Sequence, residues 1–131
     1  MQDGKAVQLL LNGEEHGHGH VVEKLLKRAE RLECLVAFAK ISAIGDLLKP
    51  LRKALEGGLK ARFAIGLDFY LTEPEALRQL FALAEKHALV LYLSNASDTF
   101  HPKIYAFQNG KQCSVIVGSA NLTHGGFYGN Y

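Results

Sequence analysis

Residues 103–119, KIYAFQNGKQCSVIVGS, decide the fold that this sequence predicts. Two runs rich in β-branched and aromatic residues flank Asn109-Gly110, and this dipeptide is the strongest short signal for a β-hairpin. The first of the two strands begins with an imidazole and an ammonium group, from His101 and Lys103. The stretch therefore predicts a rigid two-stranded platform with polar groups at one end.

The predicted turn fixes which residues of the hairpin face each other. With Asn109-Gly110 as a two-residue turn, the opposite pairs are Gln108 with Lys111, Lys103 with Ile116, and His101 with Gly118. Side chains alternate along a strand, so one face carries His101, Lys103 and Tyr105, and the other carries Pro102, Ile104 and Ala106 with Cys113, Val115 and Val117. We expect one face to be core and the other to carry chemistry at its end, where the missing side chain of Gly118 leaves space for a ligand.

Upstream of the hairpin, strand-like and helix-like hydrophobic periods alternate. Apolar runs predict strands at 6–13, 34–42, 60–70 and 88–94, and amphipathic stripes predict helices at 21–32, at 46–58 and from Thr72 to about His87. Asp46 is expected to open the second helix with Pro50 near its first turn, and Thr72 is expected to cap the third. The order βαβαβαβ followed by a hairpin predicts an α/β fold with a mixed, largely parallel sheet flanked by helices on both faces.

Length and composition restrict the class of protein. A chain of 131 residues with 48% apolar content fits one domain spanning 1–131. Its apolar runs are far shorter than the roughly 20 residues that a bilayer requires, and its start lacks the pattern of a signal peptide. We therefore expect a cytoplasmic protein without a membrane partner. Its two cysteines, Cys34 and Cys113, are expected to be reduced, buried thiols.

Four polar residues converge at the end of the predicted platform: His101, Lys103, Ser119 and Asn121. An unprotonated imidazole is a nucleophile near neutral pH, an ammonium group supplies positive charge, and a hydroxyl and an amide supply neutral donors. Such a set suits an anionic, tetrahedral phosphate. The sequence offers no carboxylate cluster for a divalent metal, so we expect metal-free phosphoryl chemistry without a cofactor.

The segments HPKIYAFQNG and VGSANLTHGGFYGN together resemble the signature of the phospholipase D superfamily, in which His-x-Lys is followed by Gly-Ser-x-Asn. Upstream, CLVAFAKISAIGDLLKPL and FAIGLDFYLTEPEALRQL resemble the amino-terminal half of single-motif, nuclease-like members found on restriction enzymes and helicase-linked proteins. The resemblance implies that His101 is a nucleophile forming a phosphohistidine, that Lys103 and Asn121 bind the phosphate, and that Ser119 supports the phosphate or the imidazole.

Two positions depart from the family pattern. The superfamily often has Asp five residues after the lysine, where this chain has Gln108. Members often continue past a stretch like FYGNY into a glutamate that orients the nucleophilic imidazole, whereas this sequence stops at Tyr131. The second departure predicts that 1–131 is an amino-terminal fragment of a longer protein that carries further domains.

The presence of one His-x-Lys motif predicts a homodimer. The mechanism needs one imidazole as the nucleophile and a second to protonate the leaving oxygen. In the superfamily two motifs meet about a pseudo-two-fold axis, so the resemblance implies that His101 of a second copy is the general acid.

The leading function is therefore a metal-independent phosphodiesterase of endonuclease type that acts on DNA. One alternative is a phospholipase D-type lipid phosphodiesterase, and another is a non-catalytic module that holds DNA phosphate for a larger protein. A basic helix face favours DNA, and its residues are Lys24, Lys27, Arg28 and Arg31. Ser119 and Asn121 fit turn caps as well as phosphate ligands, and the histidines at 16, 18 and 20 fit a surface loop or a zinc site.

Overall fold

The computed structural model describes residues 18–68, 71–94 and 100–118, with the backbone alone at residue 18. Within these ranges the chain forms eight elements, in this order: α1 His18–Leu26, β1 Arg31–Val36, α2 Ile41–Glu56, β2 Lys60–Gly66, α3 Pro74–Lys86, β3 Leu89–Ser94, β4 Lys103–Asn109 and β5 Gln112–Val117. The strand predicted at 6–13 lies outside the described residues.

The described strands form one mixed sheet in the order β3-β2-β1-β4-β5. Strands β1, β2 and β3 are parallel to one another, and the β4–β5 hairpin pairs with β1 in antiparallel fashion through β4. The predicted α/β class with a parallel core and a terminal hairpin is confirmed. Because β4 runs against β1, the start of β4 lies where the parallel strands end, and Lys103 pairs with Val36.

The core lies between one face of the sheet and the three described helices. Alternate residues of every inner strand enter it, and they pack with the apolar stripes of α1, α2 and α3 in a single cluster. The crossovers β1-α2-β2 and β2-α3-β3 step the same way along the sheet, so right-handed connections put both helices on the same face.

The expectation of helices on both faces is wrong for the described residues. The face opposite the core carries an apolar row that crosses all five strands, and its members are Tyr92, Ala64, Leu35, Ile104 and Val117. Tyr92 is 52% exposed and Val117 is 71% exposed. The prediction failed because a strand with a half-exposed apolar face has the same continuous hydrophobic run as a strand buried on both faces.

The first predicted helix and the strand predicted after it were placed too far along the chain. Helix α1 ends at Leu26 rather than at residue 32, and β1 spans Arg31–Val36 rather than 34–42. Leu32 and Cys34 are alternate core residues of a strand that pairs on both sides. This pairing outweighs the fit of Leu32 to a helical stripe. The predicted basic helix face does not form as such, because Arg31 belongs to β1.

Helix α2 begins at Ile41, five residues before the predicted Asp46, and contains Pro50 in its interior. An interior proline costs about 3 kcal/mol. The helix nevertheless extends through it, because its apolar stripe starts at Ala43 and Ile44. Burying each large apolar side chain contributes about 1.5–3 kcal/mol, which offsets the cost of the proline.

Helix α3 begins at Pro74, but Thr72 is not its cap. The Thr72 hydroxyl donates to the Gly66 carbonyl (2.7 Å) and accepts from the Ala39 amide (3.2 Å). The Glu73 carboxylate accepts from the Ile41 amide at the start of α2 (2.8 Å). The polar residues before α3 therefore join β2 to the β1–α2 connection.

The hairpin register differs from the prediction by two residues. Asn109 pairs with Gln112 instead of lying in the turn, so the turn is Gly110-Lys111, and Tyr105 rather than Lys103 lies opposite Ile116. Gly110 adopts φ +60°, and its amide donates to the Glu30 carboxylate (2.9 Å), which ties the turn to the start of β1.

A shift of two residues preserves the alternation, so the residues predicted to share a face still share it. The core face is the one with Tyr105, which is 2% exposed, whereas Val115 and Val117 are exposed. Lys103 therefore lies on the core side of the sheet, at its edge. Cys34 is buried as predicted, but Cys113 is exposed, and both thiols are free.

Candidate active site

The candidate site lies at the carboxyl edge of the parallel strands. Val36, Gly66 and Ser94 end β1, β2 and β3 there, and β4 starts beside them at Lys103. In open α/β sheets this edge is where ligands bind, because the connections that follow the strands converge on it. His101 stands two residues before β4 at the same edge.

The structure brings His101 and Lys103 into direct contact. The Lys103 Nζ atom lies 2.5 Å from His101 Nδ1 and 3.3 Å from Nε2. It also donates to the His101 carbonyl oxygen (3.2 Å). An ammonium group has only donors, so the tautomer of the imidazole decides which ring nitrogen can accept from it. The imidazole is exposed, so a substrate can reach it from solvent.

The hairpin holds Lys103 from its other side. Its carbonyl oxygen accepts from the Gly118 amide (3.3 Å), which makes Gly118 the residue opposite Lys103 rather than opposite His101. A side chain built at Gly118 would meet no atom of the described residues within 4 Å. The open position that the sequence predicted is therefore present, beside the ammonium-bearing residue.

Ser119 and Asn121 lie outside the described residues. Their predicted roles as phosphate ligands, and the alternative that they cap a turn, remain predictions. Of the four candidate site residues, the structure brings together His101 and Lys103.

Sequence reasoning missed Asp68. Its carboxylate accepts a hydrogen bond from the Phe100 amide (2.9 Å), one residue before His101, in a half-buried setting. A usable signal was present, because Asp68 follows β2 directly and polar residues after parallel strands meet at one edge. Asp68 and Phe100 are far apart along the chain, so the sequence alone did not predict their hydrogen bond.

The layer beneath the site contains two buried titratable groups. Cys34 and Tyr105 face each other across β1 and β4. Burial raises the pKa of the Cys34 thiol far above its ordinary value. Burial likewise raises the pKa of the Tyr105 phenol, with a smaller contribution from Cys34. Both side chains are therefore neutral core residues, and Tyr105 lies two positions after Lys103 in β4.

A basic cavity of about 320 Å³ opens at the opposite, amino edge of the sheet. Its lining includes Arg31, Lys60 and the ion pair of Arg62 with Glu33. Because β1 separates the two edges by five residues at about 3.3 Å each, this cavity and His101 cannot contact the same phosphate.

The metal alternative for the histidines at 16, 18 and 20 is not tested, because residue 16 and the side chain of residue 18 lie outside the described part. Across 18–68, 71–94 and 100–118, no three side chains of His, Cys, Asp or Glu are grouped to hold a metal ion. Among those same residues, no helix has the length and apolar character needed to cross a membrane.

Comparisons with known proteins agree with this fold. The fold is similar to that of Nuc from Salmonella typhimurium, a phospholipase D family member, with a TM-score of 0.63, 19% identity, and coverage of 84% of this chain and 68% of Nuc. It is also similar to part of the polyphosphate kinase from Porphyromonas gingivalis, with a TM-score of 0.56, 15% identity, and coverage of 82% of this chain and 19% of the kinase.

No curated protein sequence matches the chain. Residues 19–131 match the family model of the NgoFVII restriction endonuclease N-terminal PLD domain, which includes His101, Lys103, Ser119 and Asn121. This match spans most of the chain. The chain therefore belongs to the family of the NgoFVII restriction endonuclease N-terminal PLD domain, a nuclease-like branch of the phospholipase D superfamily.

Proposed function

We propose that this domain hydrolyses phosphodiester bonds of DNA without a metal ion, through a phosphohistidine formed on His101 at the interface of a homodimer. The observation that carries the proposal is the contact between the Lys103 ammonium and the His101 imidazole. Membership in a family named for a restriction endonuclease supports DNA as the substrate.

In the first step, a ring nitrogen of His101 forms a bond to phosphorus while the bond from phosphorus to the leaving oxygen breaks. Lys103 donates to a non-bridging oxygen, where negative charge accumulates. Asn121 and Ser119 supply neutral donors to the same phosphate. The leaving oxygen takes a proton from the imidazolium of His101 in a second copy.

In the second step, the now neutral imidazole of the second copy removes a proton from water as the water oxygen attacks phosphorus. The phosphorus–nitrogen bond breaks, and His101 is regenerated. One imidazole cannot act as nucleophile and as proton donor on opposite sides of one phosphorus, which is the reason for a second copy. A two-fold interface that contains the site supplies both groups.

The test is cleavage of plasmid DNA, single-stranded DNA and bis(p-nitrophenyl) phosphate in excess chelator. We expect turnover to persist, because Lys103 supplies positive charge at the phosphate. His101→Ala should abolish turnover and the trapped phosphohistidine. His87→Ala is the matched control, because His87 follows α3 at the opposite edge of the sheet. Loss of all turnover in chelator with recovery in magnesium contradicts the metal-free chemistry.

A second arm tests the binding roles. Lys103→Ala should weaken DNA binding and turnover together and should lower the salt dependence of binding, whereas Lys60→Ala, at the start of β2, should not affect turnover. Asn121→Ala should raise the barrier by about 3 kcal/mol if its amide acts as an oxyanion donor. A wild type that binds DNA, remains monomeric in sedimentation and never cleaves is a binding module, which refutes the proposed enzyme.

A further inference from the structure

The backbone that carries His101 has few anchors of its own. Pro102 has no amide hydrogen, so it cannot donate to a neighbouring strand. The β4 ladder starts at Lys103. An exposed imidazole gains little hold from packing, so the position of His101 depends on its contact with Lys103 and on how the residues on its two sides are fixed.

The connection that follows β2 anchors Phe100, the residue on the amino-terminal side of His101. Asp68 Oδ2 accepts from the Phe100 amide at 2.9 Å, across 32 residues of sequence. A carboxylate makes a charge-assisted hydrogen bond that is roughly twice as strong as a neutral one. The bond is half-buried, so water competes for it less than at an exposed position.

Gly66, two residues before Asp68, contacts the other end of Phe100. A Cβ built on Gly66 would lie 3.1 Å from the Phe100 carbonyl oxygen and 2.3 Å from that of Ala37. The backbone of β2 therefore packs directly against the residue before His101. One short segment thus fixes Phe100 at its amide by a hydrogen bond and at its carbonyl by close packing.

We propose that Asp68 is a positioning residue for the nucleophile His101, acting through the Phe100 amide. This inference rests on the proposed function for its effect on turnover, but the positioning itself is a property of the backbone. A nucleophile misplaced by about 1 Å loses up to 100-fold in rate, so even a partial loss of this anchor should affect catalysis. Substrate binding should change less, because Lys103 is held independently by the β4–β5 ladder.

The test compares Asp68→Ala and Asp68→Asn with a control, Asp46→Ala, which removes an exposed carboxylate of α2. Asp68→Ala should lower kcat at least about tenfold and change KM less than about twofold. Asp68→Asn should recover most of the rate, because its amide oxygen still accepts from the Phe100 amide. Assays are run well below the thermal midpoint of each variant.

Backbone and imidazole NMR signals supply a readout that does not need turnover. Asp68→Ala should accelerate hydrogen exchange of the Phe100 amide and shift the ring signals of His101, while those of His87 stay in place. An unchanged Phe100 amide refutes the proposal. So does a variant with a lower thermal midpoint but wild-type kcat and His101 signals, because Asp68 would then be structural only. A wild type without turnover removes the proposed function, and the NMR arm alone then decides the positioning role.

Discussion

Replacing Gly66 by alanine tests the packing that joins the fold to the candidate site. The added Cβ would lie 2.3 Å from the Ala37 carbonyl oxygen, whereas ordinary contacts begin at 3.4 Å. The backbone must therefore move by roughly 1 Å. Both neighbours of this Cβ are backbone atoms of Ala37 and Phe100, so no side chain can rotate away.

Overpacking of this kind costs about 1–3 kcal/mol, and a clash with backbone belongs to the upper part of that range. We expect Gly66→Ala to lower the free energy of unfolding by about 2–3 kcal/mol, which corresponds to a thermal midpoint about 6–15 °C lower for a domain of this size. Because Phe100 must shift as well, turnover should fall more than the folded fraction does.

The matched control is Gly45→Ala. Gly45 is exposed in α2, and a Cβ there would meet nothing within 4 Å. A glycine in a helix is less favourable than alanine by about 1 kcal/mol, so this variant should be slightly more stable than the wild type. The two variants are compared by thermal and urea unfolding followed by circular dichroism. A Gly66→Ala protein as stable as the wild type would refute the close approach of β2 to Ala37 and Phe100.

Three further predictions follow from the buried groups and from the proposed chemistry. Cys113 should react rapidly with a thiol reagent in the folded protein, and Cys34 should react only on unfolding. Cys113→Ser should therefore remove the fast phase, and two fast thiols would contradict the buried position of Cys34. Burial raises the pKa of Tyr105, so the folded state retains the phenolic proton when the unfolded state loses it, and stability falls as pH rises above about 10. The stability of Tyr105→Phe should fall less steeply with pH than that of the wild type, and the two slopes should differ by up to about 1.4 kcal/mol per pH unit. Parallel pH curves would disprove this coupling. The rate of phosphodiester cleavage should follow a bell-shaped pH profile, because one His101 must be unprotonated and its mate protonated, and a profile that rises to a plateau would exclude paired imidazoles.

Hydrophobic period and turn chemistry were sufficient for the class of fold. The strands at 60–70 and 88–94 were predicted close to the observed Lys60–Gly66 and Leu89–Ser94, because each is a short apolar run bounded by turn residues. The helix near 74–86 was predicted with similar accuracy. These elements depend mainly on local pattern, which the sequence contains directly.

Tertiary packing decided the elements where two local patterns competed. Leu32 fits a helical stripe with Leu26 and equally a strand with Cys34, and pairing with β2 and β4 selects the strand. Pro50 indicates a helix start, yet burial of Ile44 moves the start of α2 to Ile41. In both cases the local preference is worth a few kcal/mol. This is less than the free energy gained by burying apolar side chains in the tertiary structure.

The sequence by itself identified His101 and Lys103 as candidate site residues. His101 and Lys103 stand two residues apart in the chain, so their contact is local and needs little of the remaining fold. Only the tertiary structure decided what holds them. Asp68 and Phe100 are 32 residues apart in the chain. Gly66 meets Ala37 and Phe100 only because β2 ends, and β4 begins, at the same edge of the sheet. Hydrogen bonds and close contacts between distant segments depend on the order of strands in the sheet, and a local pattern contains no record of that order.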